Sequence, residues 1–210
     1  FCDYIFLDTD ERRRFAQVSH EYLIEQLQTT GTCSFKAAKA KVNIPINFNH
    51  PCKQLVWVVQ NDNQKNSFDY TVNGVGNATI GVESEQEFVG DAVLQLNGHD
   101  RFRRRKGSYL RLVQPYQHYG KAPNQGISTH DALDLAANPE NGYIYVYSFA
   151  LKPGEHQPSG TCNFSRIDNA VLSMTLLDTA TKADTTRTDD KNVRIYATNY
   201  NVLRIMSGMG

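Results

Sequence analysis

The clearest strand in the sequence is Tyr143-Ile144-Tyr145-Val146-Tyr147-Ser148-Phe149-Ala150-Leu151. Aromatic side chains occupy alternate positions as far as Phe149, and aliphatic or small side chains lie between them. A period of two residues places the two sets on opposite faces of an extended strand, where aromatic and branched side chains pack well. The stretch therefore predicts a β-strand, and related patterns recur along the chain.

The segments on either side carry similar signals. Apolar residues recur at every second position from 42 to 48 and again from 172 to 176. Leu55–Val59 is continuously apolar, which is typical of a strand covered on both faces. Pro45 cannot donate a ladder hydrogen bond, so it predicts an edge strand or a bulge. Further strands are predicted at Ala92–Leu96, Val193–Ala197 and Val202–Met206.

The N-terminal region differs from this pattern. Tyr4–Leu7 is a short apolar run that predicts a strand. Asp8 or Thr9 is a suitable cap for a helix that follows, and a second helical segment is expected from His20 to Gln28. Taken together, roughly eight strand candidates with irregular loops predict an all-β fold, an eight-stranded antiparallel sandwich or jelly roll with a short N-terminal helix. The pattern does not separate jelly-roll from immunoglobulin-like topology.

Two long connections interrupt the strands. We interpret the polar segment from 61 to 90 as an extended surface loop that contains one candidate strand, Phe68–Val72. The segment from 97 to 141 contains a candidate short helix at Asp131–Ala137. Asn77 and Asn163 each begin an N-glycosylation sequon, and both sequons are expected to be unused if the protein assembles in the cytosol.

Length and charge limit the function classes. A chain of 210 residues can bury its own core as one domain. Lys plus Arg equals Asp plus Glu, 22 each, so the chain is not a general nucleic-acid binder, which needs clustered positive charge. The sequence has no apolar run long enough for a transmembrane helix. The chain begins at Phe1 and ends at Gly208-Met209-Gly210, and we expect it to be a piece of a longer protein.

The sequence carries no recognisable catalytic or metal motif. Its six histidines are scattered and its four cysteines form no C-x-x-C pair, so we expect no metal, no cofactor and reduced thiols. No nucleophile elbow or phosphate-binding loop is present. The triplet His99-Asp100-Arg101 follows the turn signal Asn97-Gly98, and we interpret it as a hydrogen-bonded turn in which Asp100 pairs with a neighbouring arginine.

Several segments, taken in order, resemble one known family. They are 4–16 (YIFLDTDERRRFA), 22–28 (YLIEQLQ), 94–102 (LQLNGHDRF), 113–118 (VQPYQH), 160–169 (GTCNFSRIDN) and 195–204 (IYATNYNVLR). This series resembles the major capsid proteins of the nucleocytoplasmic large DNA viruses. The resemblance extends from one end of the chain to the other.

The resemblance implies a fold and an assembly. Proteins of this family resemble two jelly rolls in tandem, so residues 1–28 would be the end of the first roll with a helical connector, and residues 29–210 the C-terminal roll. It also implies homotrimeric, pseudo-hexagonal capsomers that tile an icosahedral shell, with neighbouring capsomers, minor capsid proteins and penton proteins as partners. The virion would be assembled in the host cytoplasm, around an internal membrane that keeps the shell from direct contact with nucleic acid.

The basic run after the turn is the candidate assembly contact. Its cations are Arg101, Arg103, Arg104, Arg105 and Lys106. A solvated loop is one interpretation and nucleic-acid binding another, but arginine forks also pair well with carboxylates of a neighbouring subunit. The alternative function is a jelly-roll module that binds glycans or receptors, in which a cluster of Tyr116, His118 and Tyr119 would contact sugar. An enzyme is the third interpretation, and we expect none.

Overall fold

The computed structural model describes residues 2–36, 41–62, 70, 87–121, 143–177 and 190–206. The helices are α1 (Thr9–Gln17), a π-helical turn (Tyr109–Val113), α2 (Gln114–Tyr119) and a 3₁₀ turn (Phe164–Arg166). The strands are β1 (His20–Phe35), β2 (Lys41–Pro45), β3 (Pro51–Asn61), β4 (Val89–Leu96), β5 (His99–Asp100), β6 (Arg105–Lys106), β7 (Tyr145–Ser148), β8 (Cys162–Asn163), β9 (Ala170–Leu176) and β10 (Lys191–Ile205).

The strands form two antiparallel sheets. The first sheet has the order β1-β10-β3-β7, with β8 also paired to β3. The second has the order β2-β9-β4-β5, with β6 also paired to β4. This confirms the predicted all-β antiparallel sandwich. The predicted count of eight strands stays a prediction, because parts of the connections lie outside the described residues.

The core lies between the two sheets and follows the alternation read from the sequence. In β2 and just beyond it, Val42, Ile44, Ile46 and Phe48 are buried while the residues between them are exposed. In β9, the buried set is Ala170, Leu172, Met174 and Leu176. Trp57 of β3 is fully buried and stacks on Tyr145 of β7, with ring centroids 5.9 Å apart. Among the described strands β2 lies at the edge of its sheet, which is one of the two arrangements that Pro45 predicted.

The helical prediction is correct for α1 and wrong for the segment that follows. Asp8 caps α1, and its side chain and that of Glu11 form a reciprocal capping box. His20 to Gln28 is strand, not helix, because it pairs residue by residue with β10. Tertiary pairing therefore overrides the local helical spacing. Residues 2–8 form neither helix nor strand, so the predicted strand Tyr4–Leu7 is absent.

The C-terminal strand also differs from the prediction. The two expected strands, Val193–Ala197 and Val202–Met206, are one continuous strand, β10. The polar residues from 198 to 201, which suggested a turn, stay paired with β1 throughout. A register shift between Thr198 and Asn199 opposite β3 accommodates them. The candidate strand Phe68–Val72, the candidate helix Asp131–Ala137 and the sequon at Asn77 lie outside the described residues, apart from Tyr70.

Candidate assembly surfaces

The Asn97-Gly98 turn positions the basic run that follows it in the chain. Asn97 and Gly98 have φ angles of 50° and 81°, the left-handed conformation that Asn-Gly hairpin turns require. The Asn97 side-chain oxygen accepts hydrogen bonds from the backbone N–H groups of Asp168 and Asn169, at 3.0 and 3.1 Å. The hairpin of β4 and β5 is therefore fixed to the segment that enters β9.

The expected pairing of Asp100 with an arginine is wrong. Its carboxylate accepts a hydrogen bond from the side-chain amide of Gln95, at 2.8 Å. The two residues lie directly opposite each other in the β4–β5 hairpin. The short register of the hairpin therefore selects Gln95. The triplet His99-Asp100-Arg101 is hydrogen-bonded structure, as predicted, but with a different partner.

Arg104 fastens two strands of the second sheet. One guanidinium nitrogen lies 2.6 Å from Asp91 of β4, and the other donates to Ser173 of β9 at 3.1 Å. Burial alone would raise the pKa of Asp91, but hydrogen bonds from Thr175 and Arg104 outweigh it and hold the pKa below its ordinary value. Arg104 is therefore bound within its own subunit.

Arg101 and Arg105 interact with tyrosine side chains. Burial raises the pKa of Tyr147, and the charge and hydrogen bond of Arg101 partly offset that rise. The Arg105 guanidinium lies 5.1 Å from the centre of the Tyr109 ring, which is a cation–π contact. Both arginines are exposed, so each retains donors that face solvent.

Arg103 and Lys106 are the cations that the fold leaves open. Both side chains are exposed. Within the part of the chain that the structure describes, neither forms an ion pair or a side-chain hydrogen bond. Lys106 is held in place by its backbone, because it pairs with Asp91 in β6 and β4. The structure thus divides the five candidate residues into three that have partners in the same subunit and two that have none among the described residues.

A polar cluster around a buried lysine, on the outer face of the first sheet, was not predicted from the sequence. Lys53 of β3 is 1% exposed. Its ammonium donates to Glu25 of β1 at 2.7 Å and to the carbonyl oxygen of Glu155 at 2.8 Å, and it lies 4.9 Å from the centre of the Tyr200 ring. His156 Nδ1 lies 3.2 Å from the Glu25 carboxylate. We call these five residues the Lys53 cluster.

The Lys53 cluster joins three strands, β1, β3 and β10, to the loop between β7 and β8. Hydrogen bonding from Lys53 lowers the pKa of Glu25, against the opposing effect of burial. Burial would lower the pKa of Lys53, but its contacts with Glu25 and Tyr200 raise it. Tyr200 also donates to the carbonyl oxygen of His156 at 2.9 Å. The cluster is thus a network of charged and hydrogen-bonded groups that holds the loop against the sheet. The only signal in the sequence was a lysine placed beside a run of buried apolar residues.

Two of the three residues expected to contact sugar in the glycan-binding alternative instead form contacts within the chain. The Tyr119 hydroxyl donates to the side-chain oxygen of Gln54. His118 Nδ1 lies 3.0 Å from the carbonyl oxygen of Leu151. Both contacts hold α2 against β3 and the β7–β8 loop, and of the three residues only Tyr116, at 66% exposed, is largely free. One free ring is a poor platform for a sugar.

The end of the β1–β10 pair exposes apolar side chains on both faces. His20–Ile24 pairs in register with Asn201–Ile205, and we call these residues the ribbon end. Opposed residues share a face and successive residues alternate, so Tyr22 and Leu203 lie on one face and Leu23 and Val202 on the other. These four side chains are between 40% and 56% exposed. Phe15 of α1 stacks on His20 with ring centroids 4.8 Å apart, so the helix lies beside this end.

The apolar N-terminal segment is exposed as well. Tyr4, Ile5 and Phe6 are each more than 80% exposed. Exposed contiguous apolar surface of this kind marks an interaction site. The sequence signal for the ribbon end was the adjacent apolar residues Tyr22-Leu23-Ile24 and Val202-Leu203, which break the alternation that a half-buried strand shows.

Groups that could hold a metal ion are absent from the described residues. No group of three or more His, Cys, Asp or Glu side chains among them could hold a metal ion. The four cysteines are free thiols. No helix in the described part of the chain is long and apolar enough to cross a membrane. Asn163 is exposed, and its side-chain oxygen accepts from the backbone N–H of Ser165 at 3.1 Å, which caps the 3₁₀ turn.

Comparison with known proteins identifies the family. A sequence profile described as "Large eukaryotic DNA virus major capsid protein" matches residues 11–131 and 132–210. The chain belongs to this family. It is 51% identical over 216 residues to the major capsid protein of Pyramimonas orientalis virus, and 46% identical over 244 residues to that of Paramecium bursaria Chlorella virus 1. Each alignment covers 100% of the chain, but 47% and 52% of those proteins.

Solved structures agree with this assignment. A capsid protein in the quasi-atomic model of the PBCV-1 virus capsid superposes with a TM-score of 0.73 at 40% identity, covering 99% of the chain and 54% of that protein. The Faustovirus major capsid protein superposes with a TM-score of 0.57 at 14% identity, which shows a common fold only. The jelly-roll prediction and the resemblance to capsid proteins are both confirmed. The chain spans about half the length of the curated relatives it matches.

Proposed function

We propose that the chain is the C-terminal half of a major capsid protein that forms homotrimeric, pseudo-hexagonal capsomers, and that these tile an icosahedral shell. Within the fold, the observation that carries the proposal is the ribbon end, whose apolar side chains are exposed on both faces. A strand pair that must stay monomeric in water keeps at least one such face polar. A subunit that is covered by neighbours has no such constraint.

The domain boundary that we propose lies between residues 19 and 20, earlier in the chain than the expected boundary between residues 28 and 29. The division at residues 28 and 29 rested on a helical connector, and we now propose that the connector is residues 9–19. β1 begins at His20 and pairs with β10 from its first residue, which supports its assignment to the C-terminal roll. The segment before α1 then belongs with a preceding roll. Its exposed side chains, including Ile5 and Phe6, support this assignment because a sheet strand of that roll would bury them.

The basic run contributes to assembly unequally. We propose that Arg103 and Lys106 contact acidic groups of neighbouring capsomers, minor capsid proteins or penton proteins, and that Arg101, Arg104 and Arg105 orient the loop that carries them. Exposed pairs contribute only about 0–1 kcal/mol each. Repetition around a closed, symmetric shell multiplies that contribution without changing the stability of a single subunit.

The proposed environment is the virion capsid, assembled in the host cytoplasm around an internal membrane. The protein would bind no cofactor, contact no nucleic acid directly and catalyse no reaction. Zero net charge supports the absence of general nucleic-acid binding, since that binding requires phosphate neutralisation. Glycan or receptor binding is the less favoured alternative, because the side chains of Tyr119 and His118 form hydrogen bonds within the chain.

Charge reversal of the two open cations tests the role of the basic run. In the full-length protein, Arg103→Glu with Lys106→Glu should lower the melting temperature by less than about 4 °C, since both side chains are exposed and the main added cost is a carboxylate placed opposite Asp91. The yield of trimers or particles should fall at low salt, as measured by size-exclusion chromatography with light scattering.

The matched control is Lys121→Glu with Arg166→Glu, which makes the same charge change at two exposed positions outside the run. This control should assemble normally. Equal assembly of both double variants at every salt concentration would show that the basic run is a solvated loop.

A further inference from the structure

Two of the four cysteines face each other across a strand pair. Cys52 of β3 and Cys162 of β8 are directly opposite in the antiparallel register. Cys52 is fully buried in the core, and Cys162 is partly buried against it. Directly opposed residues share one face of a sheet, so both thiols lie on the core side. The other two cysteines, Cys2 and Cys33, belong to different parts of the chain.

The hydrogen-bond ladder fixes the spacing of the two residues. Phe164 N–H donates to the carbonyl oxygen of His50 at 3.2 Å. Bonds recur at every second opposed pair, so the pair two positions along, Cys52 and Cys162, is also hydrogen-bonded. The Cα atoms of such a pair are about 5.5 Å apart, and disulfides commonly span about 4.4–6.8 Å between Cα atoms. The backbone therefore already has the separation that a disulfide needs.

We propose that Cys52 and Cys162 form a reversible cross-strand disulfide, which fastens the loop between β7 and β8 to β3. The loop would then be closed at two points. On the outer face of the sheet it carries Glu155 and His156 onto Lys53. On the core face, β8 has only two residues paired with β3, so the cross-link would replace a weak attachment with a covalent one.

The oxidant is a small-molecule disulfide of the glutathione class. The thiolate of Cys162, the less buried thiol, attacks one sulfur of oxidised glutathione, forming a mixed disulfide and releasing a glutathione thiolate. The Cys52 thiolate then attacks the Cys162 sulfur, which forms the protein disulfide and releases the second glutathione. The protons of the two protein thiols go to the two glutathione thiolates. Two protein thiols are thus oxidised while one glutathione disulfide is reduced.

Burial slows this reaction. It raises the pKa of Cys52 to about 12 and raises that of Cys162 as well. The thiolate is the nucleophile, so oxidation should be slow at neutral pH and should accelerate as the pH rises.

The test is peptide mapping of the full-length protein after incubation with oxidised glutathione at pH 7 and pH 9. Non-reducing digests should contain a peptide that links Cys52 to Cys162, and it should form faster at the higher pH. The melting temperature should rise by roughly 5–15 °C, because the bond closes a loop of about 110 residues. A monothiol reductant should reverse both changes.

Two variants separate this pair from other thiols. Cys162→Ser should abolish the linked peptide and the rise in melting temperature, and Cys33→Ser, the matched control, should retain both. The proposal is overturned if both thiols are still fully alkylated after oxidation. It is also overturned if the reaction stops at a mixed disulfide on Cys162, or if Cys52 is found linked to another cysteine.

Discussion

The ribbon of β1 and β10 has two parts that differ in what covers them. Around Glu25 and Tyr200 the outer face is sealed by the β7–β8 loop, and Lys53 beneath it is 1% exposed. A few residues away, the ribbon end has the same antiparallel pairing, yet Leu23 and Val202 are 40% and 56% exposed. The first part contains a buried ammonium, and the second contains apolar side chains that are exposed.

This difference separates contacts that are complete within the chain from an exposed surface that we propose is covered in the assembly. A buried ammonium is tolerated only with its partners in place, so the Lys53 cluster must be complete within one chain. Exposed apolar residues have the opposite requirement, because they gain free energy only when something else covers them. The Lys53 cluster should therefore control stability, and the ribbon end should control association.

The largest effect on stability is expected from Glu25→Gln. The substitution removes the carboxylate partner of the buried Lys53 ammonium. Because the Glu25 side chain is 33% exposed, and the Glu155 carbonyl and the Tyr200 ring remain, we expect a cost of about 2 kcal/mol, between that of an exposed pair and that of a fully buried pair. Urea unfolding of wild type and variant measures the difference. The control is Glu21→Gln, which removes a pair with Arg204 in which both side chains are more than half exposed and should cost less than about 1 kcal/mol. Equal losses in the two variants would refute the distinction.

Acidification should remove the same stabilisation. The pKa of Glu25 is lowered by Lys53, so its contribution is present above the ordinary value of 4.5 and is lost as the pH falls through the lowered value. The free energies of unfolding of wild type and Glu25→Gln should therefore converge below pH 4.5. Asp91, whose pKa is also lowered, contributes equally to both proteins. A difference in free energy of unfolding between the two proteins that stays constant with pH would contradict this account.

A smaller loss of stability is expected at the ion pair of Arg104 and Asp91. Arg104→Ala removes the contacts to Asp91 and Ser173, but both side chains of the pair are more than a third exposed. The cost should be about 1 kcal/mol, which includes the hydrogen bond to Ser173. Arg103→Ala, next to it in sequence, should have a cost that is not measurable by chemical denaturation. The reverse order would mean that the open cation has a structural role.

Much of the fold could be predicted from the sequence, because it depends on local alternation. The buried faces of β2 and β9 follow the period of two, and Asp8 and the Asn97-Gly98 turn have side chains suited to their backbone geometry. β1 could not be predicted, since its helical spacing is overridden by long-range pairing with β10. The sequence also could not distinguish Arg104 from Arg103, because the distinction depends on the distance to Asp91 and Ser173 across the sheet.

The most direct test of the central claim is the association of a ribbon-end variant of the full-length protein. Leu23→Ser with Val202→Ser changes two side chains that lie on the same face and are already exposed. The melting temperature should change by less than about 3 °C, because little burial is lost within the subunit. The mass measured by light scattering should fall from trimer or particle toward monomer. Leu151→Ser, at a residue that is 74% exposed outside the ribbon, is the matched control and should assemble like wild type. Normal assembly of the double variant would contradict the assignment of the ribbon end as an assembly contact.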